Sequence, residues 1–137
     1  MLVGAVQLPD GAWVRGRGQR KPMPEGPEPE FGLYLGKLPK DLPWAHDLVE
    51  WPDFWLPKDR DKAIAQIRDL HARALAGQRV EVACGGGVGR TGTVISCLAI
   101  LAGVEPKAAV AWTREHYRRG AVETPWQKRW VERFPVH

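Results

Sequence analysis

The chain has only two cysteines, Cys84 and Cys97, among 137 residues. Two are too few for a disulfide framework or for a zinc site made of four cysteines. Histidines are also sparse. His46, His71, His116 and His137 are scattered and form no ligand-spaced pair, so no metal or other cofactor is expected. Long apolar runs are missing. The longest, 94–104, falls far short of the roughly 20 residues that a membrane-spanning helix needs. The opening MLVGAVQLPDGAW has no basic lead-in and no extended apolar stretch, so it does not read as a signal peptide. Charge is nearly balanced. Twenty Lys and Arg against 16 Asp and Glu leave a net +4. That excess is too small to indicate nucleic acid, and no nucleic-acid motif accompanies it. A cytoplasmic, reducing setting without membrane contact is expected, where lone cysteines are packed or catalytic rather than bridged.

What is present fits one globular unit. Apolar residues make up 44% and charged residues 26% of the chain, the usual range for a packed domain. The expected organisation is a single domain over 1–137. Residues 1–30 form a hairpin and a Pro-rich connector, and 31–137 form the core. Nine of the 12 prolines lie at or before Pro57, so the first 57 residues read as short strands and turns. Segments 5–8 and 13–17 flank Pro9-Asp10-Gly11 as a hairpin. Segments 33–35 and 45–49 are candidate strands. From Lys58 the pattern turns helical. Ile64, Ile67, Leu70 and Leu75 share a face in 59–76, and Gly77 stops that helix. A β-branched strand is expected at 79–83. A helix apolar almost all round follows at 91–102, then a helix from Pro106 to about His116. The last helix, to about Phe134, opens at Thr124 with a capping-box pattern. Strand, Gly-rich turn and buried helix imply an α/β domain with a central, mostly parallel sheet flanked by helices. The Gly-rich turn then lies between a strand and a buried helix, beyond the strand's C-terminal end.

The segment VACGGGVGRTGT carries the most chemistry. Cys84 ends a strand and Arg90 starts a helix, with Gly85, Gly86, Gly87, Val88 and Gly89 between them. Such a loop can curl until its backbone N–H groups point inward, because no Cβ blocks the turn. At a helix N-terminus that nest suits an anion such as phosphate or sulfate. Arg90 adds a planar fork for two of its oxygens. The same field favours the thiolate of Cys84, and Thr91 can donate its hydroxyl to the sulfur. The chemistry reads as a thiolate nucleophile beneath a phosphoryl group. Three other readings compete. Residues 87–92 fit GxGxxG, but the chain about 20 residues on looks helical rather than ending a second strand with an acid. A Walker loop needs Lys where Arg90 stands. A structural Gly-rich turn beside a packed cysteine is the plain alternative.

Upstream lies Trp51-Pro52-Asp53, and downstream Glu123-Thr124-Pro125-x-Gln127. With Cys84-x5-Arg90-Thr91-Gly92, these resemble the phosphate loop, acid loop and glutamine-bearing loop of the protein tyrosine phosphatase superfamily, over roughly 33–134. The small dual-specificity and bacterial tyrosine phosphatases are most similar. The order of motifs differs from that of the low-molecular-weight phosphatases, whose cysteine loop precedes the acid. The resemblance implies a Cys-dependent phosphomonoesterase acting on a phosphorylated protein or peptide, with phosphotyrosine favoured. Cys84 would attack phosphorus, Arg90 and the loop amides would hold its oxygens, Asp53 would act as acid and then base, Thr91 would steady the leaving thiolate, and Gln127 would position water. Ala83 departs from the family, which usually has His there, and leaves a phosphate-binding protein without turnover as the alternative.

Each of these residues also has a plainer role. Trp-Pro-Asp can be a simple turn. Gln127 can cap the backbone of Thr124. Glu123 reads as a surface carboxylate, and Cys97 as core filling. Trp51, Phe54 and Trp55 either flank an aromatic substrate or pack in the core. Arg15, Arg17, Arg20 and Lys21, and Arg114, Arg118 and Arg119, read as solvated faces.

Overall fold

The computed structural model describes residues 1–136. Strands β1 (Val6–Gln7) and β2 (Trp13–Gly18) make the expected antiparallel hairpin. Asp10 shapes its turn by accepting from the amide of Ala12 at 3.1 Å. The hairpin is more than an appendage. β2 pairs in parallel with β5 (Val80–Cys84), which pairs in turn with β3 (Phe31–Leu35), and β3 with β4 (Ala45–Val49). The sheet order is β1-β2-β5-β3-β4. The strand that ends in Cys84 is therefore central, and its C-terminal end is flanked on both sides.

Four helices complete the α/β domain. Helix α1 (Arg60–Leu75) starts at Asp59, whose carboxylate accepts from the amide of Lys62. Helix α2 (Gly89–Leu101) starts two residues earlier than the sequence pattern suggests, so Arg90 lies in its first turn. The helix expected from Pro106 begins as a 3₁₀ turn, Pro106–Ala108, before α3 (Ala109–His116). Helix α4 (Pro125–Glu132) carries the capping box between Thr124 and Gln127. No helix among the described residues is long and apolar enough to cross a membrane.

The two faces of the sheet differ in chemistry. Leu33, Leu35, Val80 and Val82 share a core with Ile64, Ile67 and Leu70 of α1 and with Ile95 and Leu98 of α2. Each such side chain, fully buried, contributes about 1.5–3 kcal/mol. The other face is polar. Register places Arg15 opposite Glu81 and Arg17 one pleat further along β2. Arg15 is 2% exposed and Glu81 fully buried. Arg15 Nη2 and Arg17 Nε lie 2.8 and 2.9 Å from the same Glu81 oxygen, and the Tyr34 hydroxyl donates to the other at 2.7 Å. Arg15 and Arg17 are thus not a solvated face, because the parallel register draws them onto a buried carboxylate. Burial pushes the Glu81 carboxyl up, but the hydrogen bonds from Arg17, Tyr34 and Arg15 outweigh it and leave the group below its ordinary value.

Candidate active site

The loop between β5 and α2 turns its carbonyls outward. The carbonyl of Cys84 accepts from the amide of Gln19, and that of Gly85 from the amide of Arg20. The Gly86 carbonyl accepts from Arg118 Nη1 at 3.0 Å, and the Gly87 carbonyl from the Tyr117 hydroxyl. The Val88 carbonyl takes the amides of Gly92 and Val122. In a planar peptide the N–H points opposite the C=O. Five outward carbonyls therefore set the amides of Gly85, Gly86, Gly87, Val88 and Gly89 toward the loop's interior. That of Gly87 reaches the Cys84 sulfur at 3.2 Å. Gly87 must be glycine. Its φ is +72°, and a Cβ there would stand 2.5 Å from the amide nitrogen of Gly18.

Cys84 is 2% exposed. Its sulfur also accepts from the Thr91 hydroxyl at 3.0 Å. Two donors, one from the loop and one from the first turn of α2, thus converge on the sulfur. Burial pushes the Tyr117 phenol up to about 12, with Arg118 opposing the shift and the nearby Cys84 adding to it. Tyr117 thus stays a neutral donor to the loop at physiological pH. Cys97 is fully buried and free, and burial holds its thiol well above the ordinary range.

Arg90 is oriented by main-chain acceptors. Its Nη1 donates to the carbonyls of Leu35 at 3.3 Å and Trp51 at 3.0 Å. Its Nη2 lies 3.4 Å from Asp53 Oδ1. Its Nε is buried with no partner. A buried donor left unpaired is costly, and this one adjoins a nest of inward N–H groups. The chemistry of this donor set is that of an oxyanion receptor. Gly36 makes room for it. At Gly36 φ is +88°, and a Cβ would collide with Arg90 Nη1 and stand 2.8 Å from the Trp51 carbonyl.

The segment bearing Asp53 lies over this receptor and is fastened to α4. Trp51, buried in the core, donates to the Trp55 carbonyl at 2.8 Å. Gln127 Nε2 donates to the same carbonyl at 3.2 Å, and Trp126 Nε1 to the Phe54 carbonyl at 2.7 Å. The rings of Trp55 and Trp126 meet at 5.5 Å. Gln127 is fully buried, and its Oε1 accepts from the amides of Glu123 and Thr124. Its amide is thus committed to the cap and to the segment bearing Asp53. The exposed Glu123 places a carboxylate oxygen against Gly89 instead. Of the three aromatics near Asp53, Trp51 belongs to the core, while Phe54 and Trp55 are more than half exposed.

The profile of the PTP-SAK family, described as Swiss Army Knife protein, DSP-PTPase phosphatase domain, matches residues 53–131. The chain belongs to this family. The match begins at Asp53 and takes in Cys84, Arg90 and Gln127 of this PTP-SAK domain. Solved structures share its fold. Tk-PTP in its active form superposes with a TM-score of 0.67 at 22% identity, covering 98% of this chain and 97% of that one. Kinase associated phosphatase, solved with its catalytic-site cysteine changed to serine, gives 0.61 at 16% identity, covering 73% and 65%. PTPMT1 gives 0.57 at 15% identity, covering 77% and 74%. No curated protein sequence matches the chain.

Several contributors lie outside the motifs. Gly36 and Tyr117 carry no local signal, and Trp126 stands only as the unspecified position of the Glu123–Gln127 motif. Arg118 shows only as part of a basic run, and its partner, the Gly86 carbonyl, is 32 residues away in sequence.

Proposed function

We propose that this PTP-SAK domain, over residues 1–137, is a Cys-dependent protein tyrosine or dual-specificity phosphatase. The observation that carries this reading is the buried, unpartnered Arg90 Nε at the end of a loop whose Cys84 sulfur already accepts two hydrogen bonds. The substrate's phosphoryl group sits in the loop, its equatorial oxygens held by Arg90 and by the amides of Gly85 to Gly89. The Cys84 thiolate forms an S–P bond as the P–O bond to the tyrosine breaks. The Asp53 carboxyl gives its proton to the leaving phenolate oxygen. Water then attacks phosphorus, Asp53 takes a proton from it, the S–P bond breaks, and inorganic phosphate leaves. Thr91 steadies the sulfur as its charge returns. Gln127 acts by holding the acid segment and its own helix cap in place. The favoured substrate is a phosphotyrosine protein, since exposed Phe54 and Trp55 flank Asp53 and suit an aromatic ring. A reducing compartment such as the cytoplasm keeps Cys84 competent.

Phosphate release from p-nitrophenyl phosphate and from phosphotyrosine, phosphoserine and phosphothreonine peptides tests this. Turnover is expected, highest on phosphotyrosine. A protein that binds phosphopeptide but releases no phosphate overturns the reading.

A further inference from the structure

A cleft of about 550 Å³ opens beside the phosphate loop, with Gly85 and Arg90 on its wall. Its other charged walls are Arg17, Arg20, Lys37 and Lys40, and no carboxylate lines it. These cations come from β2, from the segment after it and from the β3–β4 connection, so no single run of sequence announces the whole set. Gln19 Nε2 donates to the Lys37 carbonyl at 2.8 Å and ties the two segments together. The amide of Arg20 bonds to the Gly85 carbonyl, and its guanidinium lies against Gly85. Arg17 is paired with Glu81, which it shares with Arg15. Arg20, Lys37 and Lys40 have no acidic partner among the described residues.

Three unpaired cations on one groove repel each other unless an anion enters, and they focus a positive field onto it. In the phosphatase reading above, the loop from Cys84 to Arg90 takes the reacting phosphoryl group. The cleft therefore offers a place for a second anion on the same substrate, outside the scissile ester. Leu38 and Pro39 lie among the cations, so charge alternates with apolar surface along an open groove. That pattern fits an extended peptide better than a compact molecule whose charges converge on one point.

We propose that the substrate is a phosphotyrosine segment whose flanking residues are acidic, with Arg20, Lys37 and Lys40 reading those flanking carboxylates. This rests on the phosphatase reading above and names its substrate class. Exposed ion pairs are individually weak, so the selectivity comes from several acting together.

The test compares kcat/KM on two phosphotyrosine peptides of equal length, one flanked by Asp and Glu, the other by Asn and Gln. The wild-type protein should prefer the acidic peptide about tenfold at low salt, and the preference should fall as salt screens it. Lys37→Gln with Lys40→Gln should bring the ratio below about threefold, whereas Lys37→Arg with Lys40→Arg should retain it. Thermal melting verifies that both variants fold. Equal wild-type rates on the two peptides, with p-nitrophenyl phosphate still hydrolysed, overturn this inference and leave the phosphatase reading standing. A sugar bisphosphate preferred over the acidic peptide also overturns it. Loss of p-nitrophenyl phosphate hydrolysis in the wild type overturns the phosphatase reading itself, and this inference with it.

Discussion

The buried amide of Gln127 donates across 3.2 Å to the carbonyl of Trp55, two residues beyond the proposed acid. Together with the bond from Trp126 Nε1 to the Phe54 carbonyl, it joins α4 to the segment that presents Asp53. Gln127→Ala removes the bond to Trp55, together with the acceptor used by the amides of Glu123 and Thr124. The expected cost is about 1–3 kcal/mol of folding stability, with a fall in kcat larger than any change in KM. An unchanged urea midpoint would show that these bonds contribute nothing.

Cys84→Ser keeps the shape of the loop but replaces the thiolate with a hydroxyl that does not ionise near neutral pH. Hydrolysis of p-nitrophenyl phosphate should disappear, while inorganic phosphate still binds the loop. Wild-type turnover in this variant would rule out a cysteinyl-phosphate.

Asp53→Ala removes the proton donor to the leaving group. Turnover of phosphotyrosine should fall about 10²- to 10⁴-fold. The loss on p-nitrophenyl phosphate should be smaller, because its leaving group needs less protonation. Equal losses on the two substrates would point instead to a general disturbance of the site, through the 3.4 Å contact between Asp53 and Arg90.

Gly36→Ala tests how Arg90 is held. The new methyl group would meet the guanidinium and the Trp51 carbonyl, at a φ that L-residues rarely adopt. Phosphate affinity, measured by calorimetry, should drop at least tenfold even where the protein remains folded. Retained affinity would mean that Arg90 does not hold the anion in this orientation.

The buried cluster of Arg15, Arg17, Tyr34 and Glu81 governs the acid limb of stability. The Glu81 carboxyl sits below its ordinary value when folded. Its contribution is therefore complete above the unfolded value and is lost as pH falls through the folded one. Glu81→Gln leaves two arginines without their carboxylate and should cost about 3–5 kcal/mol at neutral pH. The variant should also lose less stability on acidification than the wild type does. Parallel pH profiles for the two proteins would refute the assignment.

Much of the molecule is local and so could be read from the chain. The helix over Arg60–Leu75 follows from the spacing of its apolar residues and from the Asp59 cap. The loop from Cys84 to Arg90 follows from glycines that free the backbone and from a helix start that leaves N–H groups unsatisfied. The capping box at Thr124 is visible as well, but its sequence leaves open whether Gln127 serves the helix or a water molecule. Only the packed structure shows the same amide reaching Trp55. The rest depends on contacts across the sheet. Arg15 and Glu81 stand 66 residues apart in sequence, and no composition or spacing reveals that parallel register pairs them. Arg20 reaches Gly85, and Gly36 makes way for Arg90, only because β5 lies between β2 and β3. The sequence by itself determined the loop from Cys84 to Arg90 and the hydrogen-bond donors it carries, because these depend on residues near one another in the chain. Tertiary structure decided which cations are buried and paired and which stand free beside the loop, because strand order and register bring distant charges together.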